Sequence, residues 1–267
     1  MHAPFTVNCN GTRIVVETQG DGPPLVFAHG LTGTRHSTQA QFATLREHYT
    51  IVSFDQRGHG DSMPLTEAAA YDVTQMAEDM ASVMDALEIE SAIVGGESMG
   101  AATAVEFALR YPQRVRRLLL TAPAFGDDES TEKERFHNIA SAIRTVGLKD
   151  FVSIARQTWT NTFAWSDQVC DTVAASFLAH KPESIATAID TVMEWVPLHE
   201  MIEMRKIACP VCIIFWQEDA LHPASLALRL AETLPDVCIV EIPPLPYIFE
   251  HSERIGQIFQ EFLEDAG

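Results

Sequence analysis

The stretch Gly95-Gly96-Glu97-Ser98-Met99-Gly100-Ala101 follows an apolar run, Ala92-Ile93-Val94, and leads into a helix-forming segment from Ala101 to Tyr111. A serine set between glycines where a strand becomes a helix fits a nucleophile elbow, Gly-x-Ser-x-Gly. Small neighbours are needed because backbones crowd at so sharp a turn. The turn exposes the hydroxyl, and the helix N-terminus favours negative charge developing beside it. A Gly-rich phosphate loop is the plainer alternative, but no Lys-Ser/Thr pair follows the glycines.

Working outward, short apolar strands alternate with helices. Phe5 to Cys9 and Arg13 to Glu17 read as strands joined by the hairpin signal Asn10-Gly11. Leu25–Ala28, Thr50–Phe54, Ala92–Gly95, Val115–Thr121, Val211–Trp216 and Cys238–Ile242 read as further strands. Helices are predicted over Gln39–Glu47, Asp72–Leu87, Ala101–Tyr111 and Pro223–Leu234, with a last one carrying Ile255, Ile258, Phe259, Phe262 and Leu263 on one face. The stripe Val73, Met76, Met80, Val83, Met84 and Leu87 reads as core. Such alternation argues for an α/β fold, a mostly parallel sheet flanked by helices. Residues 126–206 look wholly helical and read as an inserted lid; residues 1–125 and 207–267 form the core. An insertion there sits over the carboxyl ends of the strands, where open α/β sheets bind ligands.

Composition narrows the function. The chain of 267 residues carries a formal charge of −19, which disfavours nucleic acid and anionic membrane surfaces as partners. No apolar run approaches the ~20 residues of a membrane span, and the start has no leader-like pattern. Five cysteines at irregular spacing make no disulfide framework. A soluble cytoplasmic protein with a small-molecule partner is expected, and a homodimer is left open. Cys209-Pro210-Val211-Cys212 runs into a strand and reads as structural. No metal-ligand spacing or dinucleotide fingerprint is present, so neither metal nor cofactor is expected.

Together the motifs resemble the α/β-hydrolase superfamily over essentially the whole chain. The carriers are Gly22-Pro23-Pro24-Leu25-Val26-Phe27-Ala28-His29-Gly30, Phe54-Asp55-Gln56-Arg57-Gly58-His59-Gly60-Asp61-Ser62, Gly96-Glu97-Ser98-Met99-Gly100, and Cys209-Pro210-Val211 leading to Asp219 and Pro223. The resemblance implies that Ser98 is the nucleophile and Asp219 the acid. It implies that the backbone N–H groups of Met99 and Leu31 form an oxyanion hole. His29 and His59 are then structural members of their turns. Asp127 and Asp128 occupy another place where relatives sometimes carry the acid, but Asp219 matches better.

One part of that pattern is missing. The family's catalytic histidine follows the last strand in an Ile-Pro-x-x-Gly-His loop. Here the loop reads Ile242-Pro243-Pro244-Leu245-Pro246-Tyr247-Ile248-Phe249-Glu250-His251. Leu245, Pro246 and Tyr247 stand where the histidine is expected, and none is a general base at neutral pH. Three readings follow. Another histidine, His222 or His251, supplies the base. Alternatively the chain binds a ligand without hydrolysing it, or it steers a cyclisation or elimination that needs no Ser–His proton transfer.

The expected activity is hydrolysis of a carboxylic ester, lactone or related acyl bond through an acyl–Ser98 intermediate. Gly30, Trp159, Trp165 and Trp195 are candidates for contact with a mainly apolar substrate. Packing of the lid aromatics on one another is the plainer reading of the same tryptophans. Arg135, Arg144 and Arg156 are candidate anchors for a substrate carboxylate.

Overall fold

The computed structural model describes residues 3–124, 132–195 and 200–264. Strands β1 (Phe5–Cys9) and β2 (Thr12–Gln19) form the expected hairpin. Asn10 and Gly11 both have positive φ, 51° and 87°, as a two-residue turn matched to strand twist requires. The sheet continues with β3 (Pro24–Ala28), β4 (Thr50–Phe54), β5 (Ala92–Glu97), β6 (Val115–Thr121), β7 (Val211–Phe215) and β8 (Val237–Glu241). Its spatial order is β1-β2-β4-β3-β5-β6-β7-β8. β2 meets β4 antiparallel, and every later pairing is parallel. The central strands are buried on both faces, which is why they are near-continuous apolar runs.

Helices cover both faces. In chain order they are α1 (Arg35–Gln41), α2 (Val73–Ala86), α3 (Met99–Arg110), α4 (Lys133–Val146), α5 (Leu148–Asn161), α6 (Asp167–Leu178), α7 (Pro182–Val192), α8 (Ala224–Thr233), α9 (Tyr247–Glu250) and α10 (Glu253–Glu264). Met80, Val83 and Met84 of α2 pack with Ala104 and Phe107 of α3 and Leu226 and Leu230 of α8 against one face, while Val73 and Met76 at the start of the stripe join the cluster of the inserted helices. Phe42 and the Ile255–Phe259 face of α10 pack with Phe27 on the other. The helix predicted over Gln39–Glu47 lies elsewhere. α1 begins at Arg35, because Thr34 and Ser37 cap its start reciprocally, and only a 3-10 turn covers Leu45–Glu47.

Between β6 and β7 the described residues are helical: α4 to α7 and a 3-10 turn, Met201–Lys206. Helices α4 to α7 share one apolar cluster with Leu31 and Met99, which follow β3 and β5, whereas Met204 of the 3-10 turn packs in the sheet's own cluster. The insertion therefore lies over the carboxyl end of the sheet.

Two devices fix the turns beneath it. Arg57 holds Asp79 of α2 through two hydrogen bonds, 2.7 and 2.8 Å, both groups buried. A trio of buried histidines then joins core to insertion, with the His59 ring centroid 5.3 Å from those of both His29 and His180. His29 accepts from the Gln56 N–H at 2.9 Å and donates to the Gly30 carbonyl at 2.7 Å. His180, just past α6, accepts from the Gly60 N–H at 3.0 Å and donates to the Thr32 carbonyl at 2.9 Å. His29 and His180, each accepting from a backbone N–H, are thus bonded in their neutral forms. Desolvation lowers all three pKa values, that of His29 to about 3.

The sign of the consequence is fixed. Below pH ~6.5 the unfolded chain takes protons on these rings and the folded chain resists them. Their contribution to stability is full above that pH and is lost as pH falls. Urea unfolding at a series of pH values is expected to show stability dropping from pH 6 to pH 5. His180→Gln should make that drop shallower, by up to about 1.4 kcal/mol per pH unit. An identical slope in the variant would contradict the assignment.

Candidate active site

The turn at Ser98 is set by what cannot fit around it. A β-carbon on Gly96 would stand 2.0 Å from the Gly100 carbonyl oxygen, and one on Gly100 would stand 2.0 Å from that of Ala28. With both neighbours stripped to glycine, β5 turns directly into α3. Ser98 takes φ 52° and ψ −113°, a conformation a side-chain-bearing residue rarely holds. Its own N–H donates to the Thr121 carbonyl of β6 at 3.0 Å. Met99 opens α3, where first-turn N–H groups have no acceptor within the helix. Leu31 is buried in the loop after β3.

The loop between β7 and α8 brings an imidazole to this serine. His222 Nε2 lies 2.8 Å from Ser98 Oγ, and its Nδ1 lies 2.8 Å from Asp219 Oδ2. The pairing with a carboxylate makes Nδ1 the protonated nitrogen, so Nε2 is left to accept the serine proton. Such an arrangement within three residues requires a tight loop. Glu218 has φ 61°, and Asp219 Oδ1 accepts from the N–H groups of Leu221 at 2.9 Å and His222 at 3.2 Å. Trp216 Nε1 donates to Asp219 Oδ2 at 2.8 Å, giving that oxygen a second fixed donor. Burial alone would raise the Asp219 pKa. The hydrogen bond and charge of His222, with the Trp216 bond, outweigh burial and hold it at about 2.

Of the two candidate histidines, only His222 is brought to Ser98. His251 follows α9, its side chain 51% exposed, its ring 4.7 Å from that of Tyr247 and its nearest carboxylate Glu253 at 3.9 Å. Its candidacy is corrected accordingly. The expected histidine loop has become α9, which turns toward the inserted helices. Phe249 packs on Trp165 at 6.3 Å, and Glu250 accepts a hydrogen bond from Ser166 at 2.9 Å.

The tryptophan candidates divide. Trp159 and Trp195 are buried in the cluster that contains Leu31 and Met99, and Trp165 packs against it. Trp159 stacks with Trp165 at 6.1 Å and Phe177 at 6.4 Å, so packing accounts for much of their placement. Gly30 borders the site: a β-carbon there would stand 3.7 Å from Ser98 Cβ. The three arginines face their own carboxylates instead of a shared anion site. Arg135 pairs with Glu132, Arg144 with Glu183 and Asp190, and Arg156 with Asp167 and Asp171. Asp127 and Asp128 lie outside the described residues.

Cys212 is buried in β7, and burial raises its pKa and lifts that of Cys209 to about 11. Among the described residues no group of three or more His, Cys, Asp or Glu side chains is arranged to hold a metal. Sequence reasoning missed Trp216, whose indole at a strand end reads as core, and the Gln41–Glu97 pair beside the serine.

Known proteins share this architecture. A putative carbamate hydrolase from Azorhizobium caulinodans is 26% identical over 92% of this chain and 92% of its own. The 3-oxoadipate enol-lactonase 2 of Acinetobacter baylyi is 24% identical over 80% of this chain and 78% of its own. A thermophilic esterase structure from Thermogutta terrifontis superposes with TM-score 0.83 at 25% identity, covering 99% of both chains. The family model described as alpha/beta hydrolase fold matches residues 23–169, more than half of the sequence. With the elbow, the parallel sheet and that match in agreement, the chain belongs to the α/β-hydrolase family.

Proposed function

We propose that this α/β hydrolase cleaves a carboxylic ester, lactone or related acyl bond of a small, mainly apolar substrate through an acyl–Ser98 intermediate. The observation that carries the reading is the continuous chain from Ser98 Oγ through His222 to Asp219, with both links 2.8 Å long.

Ser98 Oγ attacks the acyl carbon as His222 Nε2 takes its proton. Asp219 is ionised throughout the working range and stabilises the imidazolium. The negative charge on the acyl oxygen is received by the N–H groups of Met99 and Leu31, each worth about 3 kcal/mol of barrier. His222 then returns the proton to the leaving oxygen, and water repeats the cycle on the acyl-enzyme. None of these steps requires a metal or organic cofactor. Helices α4 to α7 act as a lid, dividing the chain into a core of 1–125 and 207–267 and an insertion of 126–206. Trp159, Trp165, Trp195 and Gly30 border the acyl group.

The relatives support acyl chemistry, since their names include a carbamate hydrolase, an enol-lactonase and an esterase. No described helix is long and apolar enough to cross a membrane. The reading as a non-hydrolytic binder, lyase or cyclase rested on the lack of a base. An imidazole within hydrogen-bonding reach of Ser98 removes that ground.

Hydrolysis of p-nitrophenyl acetate and butyrate tests the proposal. Ser98→Ala should abolish it, and His222→Asn should lower kcat at least ~10³-fold. His251→Ala should leave the rate in place. Equal losses in the His222 and His251 variants, or none in the former, would overturn the assignment. Trp216→Phe keeps the ring and removes the donor to Asp219. Loss of one such bond, about 1.4 kcal/mol, should lower kcat/KM by roughly tenfold, mainly through kcat.

A further inference from the structure

The Leu31 N–H is one half of an amide whose other half is the Gly30 carbonyl. The bond between them is trans, so the two groups point in opposite directions within one plane. Whatever fixes the carbonyl therefore aims the N–H. Two donors fix it: His29 Nδ1 at 2.7 Å and the Gly33 N–H at 2.9 Å. The second bond closes a tight turn with Leu31 and Thr32 at its centre. Residue 33 is glycine because the turn is too close for more. A β-carbon there would stand 2.9 Å from that of His29 and 3.2 Å from the Gly30 oxygen.

The same constraint applies one step back. The Gly33 N–H shares its plane with the Thr32 carbonyl, which faces the other way. That carbonyl is taken by the inserted segment. Ser176 of α6 donates its hydroxyl to it, and His180, just past that helix, donates Nε2–H at 2.9 Å. The Gly60 N–H, donating to Nδ1 at 3.0 Å, holds His180 in the tautomer this requires. Phe177, next to Ser176, packs in the apolar cluster that holds Leu31 and Met99. The bonds therefore run in series. Ser176 and His180 donate to the Thr32 carbonyl, the Gly33 N–H to the Gly30 carbonyl, and the Leu31 N–H is left facing onward. An amide that accepts at its oxygen is a stronger donor at its nitrogen.

We propose that Ser176 and His180 are positioning residues for the oxyanion hole. Through two successive amide planes they aim and polarise the Leu31 N–H, so the hole is complete only while α6 is seated on the turn. This rests on the hydrolase reading for its effect on rate, but the coupling of α6 to the turn does not.

Two readouts keep coupling and catalysis apart. The first is the Gly33 amide, followed by proton–nitrogen NMR and hydrogen exchange. In Ser176→Ala and in His180→Gln its proton should shift upfield and exchange about tenfold faster. Ser176→Thr keeps a hydroxyl and should restore the wild-type values. Ser184→Ala is the control, because Ser184 Oγ accepts from the Leu65 N–H at 2.9 Å, a bond between insertion and core that does not touch the turn. It should leave the Gly33 amide in place. An unmoved Gly33 amide in Ser176→Ala, or an equal response in Ser184→Ala, would overturn the proposal.

The second readout compares kcat and KM for p-nitrophenyl butyrate with inhibition by an alkyl trifluoromethyl ketone, whose adduct with Ser98 carries the oxyanion. Ser176→Ala should lower kcat about tenfold and weaken the ketone by the same factor, with KM nearly unchanged. Combining Ser176→Ala with His180→Gln should approach ~10²-fold, the effect of losing one oxyanion donor. A loss confined to KM, or a ketone affinity that does not follow kcat, would count decisively against these roles. A Gly33 amide that responds as expected while no form of the protein cleaves an ester would support the coupling and count against the hydrolase reading instead.

Discussion

The bond between Ser98 Oγ and His222 Nε2 joins residues 124 apart in sequence, and the rest of the site is arranged to make it possible. At one end, a serine with φ 52° must be tolerated. That holds only because Gly96 and Gly100 let the helix, the strand and the Ala28 carbonyl approach more closely than a side chain allows. At the other end, an imidazole must arrive in one tautomer and one orientation. Asp219 supplies both, because a carboxylate opposite Nδ1 fixes the proton there and leaves Nε2 free to accept.

Placing the proposed acid and base within one loop changes what the rest of the fold must do. In the family pattern, the acid and the histidine come from different loops, so the loop after the last strand must be shaped to present the imidazole. Here the β7–α8 loop carries both groups, held by Trp216 from beneath and by the Asp219 bonds to backbone N–H groups. The loop after β8 is thereby released from that duty. It has become proline-rich and forms α9, whose Phe249 and Glu250 contact Trp165 and Ser166 of the inserted segment. The same stretch, which lacks the Gly-His of the family pattern, ties the inserted segment to the core. The buried histidine trio makes a second such tie, through Thr32 and Gly60.

Much of this was legible in the sequence, for identifiable reasons. β4 and β6 match their expected limits because their buried stretches, Ile51–Phe54 and Leu118–Thr121, end abruptly at turn residues. The elbow was legible because its glycines answer a steric demand. α1 was misplaced because its start is set by a Thr34–Ser37 capping box, whereas Phe42 and Leu45, inside the predicted span, belong to the turns packed on Phe27. α9 was hidden behind Pro243, Pro244 and Pro246, which read as irregular chain. The choice between His222 and His251 could not be made from spacing. It depends on a backbone reversal at Glu218 and on bonds from Asp219 to its own loop, which only the folded chain displays. Trp216 and Glu97 escaped for the same reason, since a strand-end indole and the variable residue of an elbow carry no signature until their partners are in place.

The central claim is that His222 activates Ser98. The most direct test is the rate at which a fluorophosphonate labels the protein, followed by intact mass, in wild type, Ser98→Ala, His222→Ala and His251→Ala. A single adduct formed rapidly by wild type and His251→Ala, and lost or greatly slowed in the other two, is the predicted result. An adduct on wild type that His222→Ala forms equally fast, or no adduct beside an esterase that labels normally, would contradict the account.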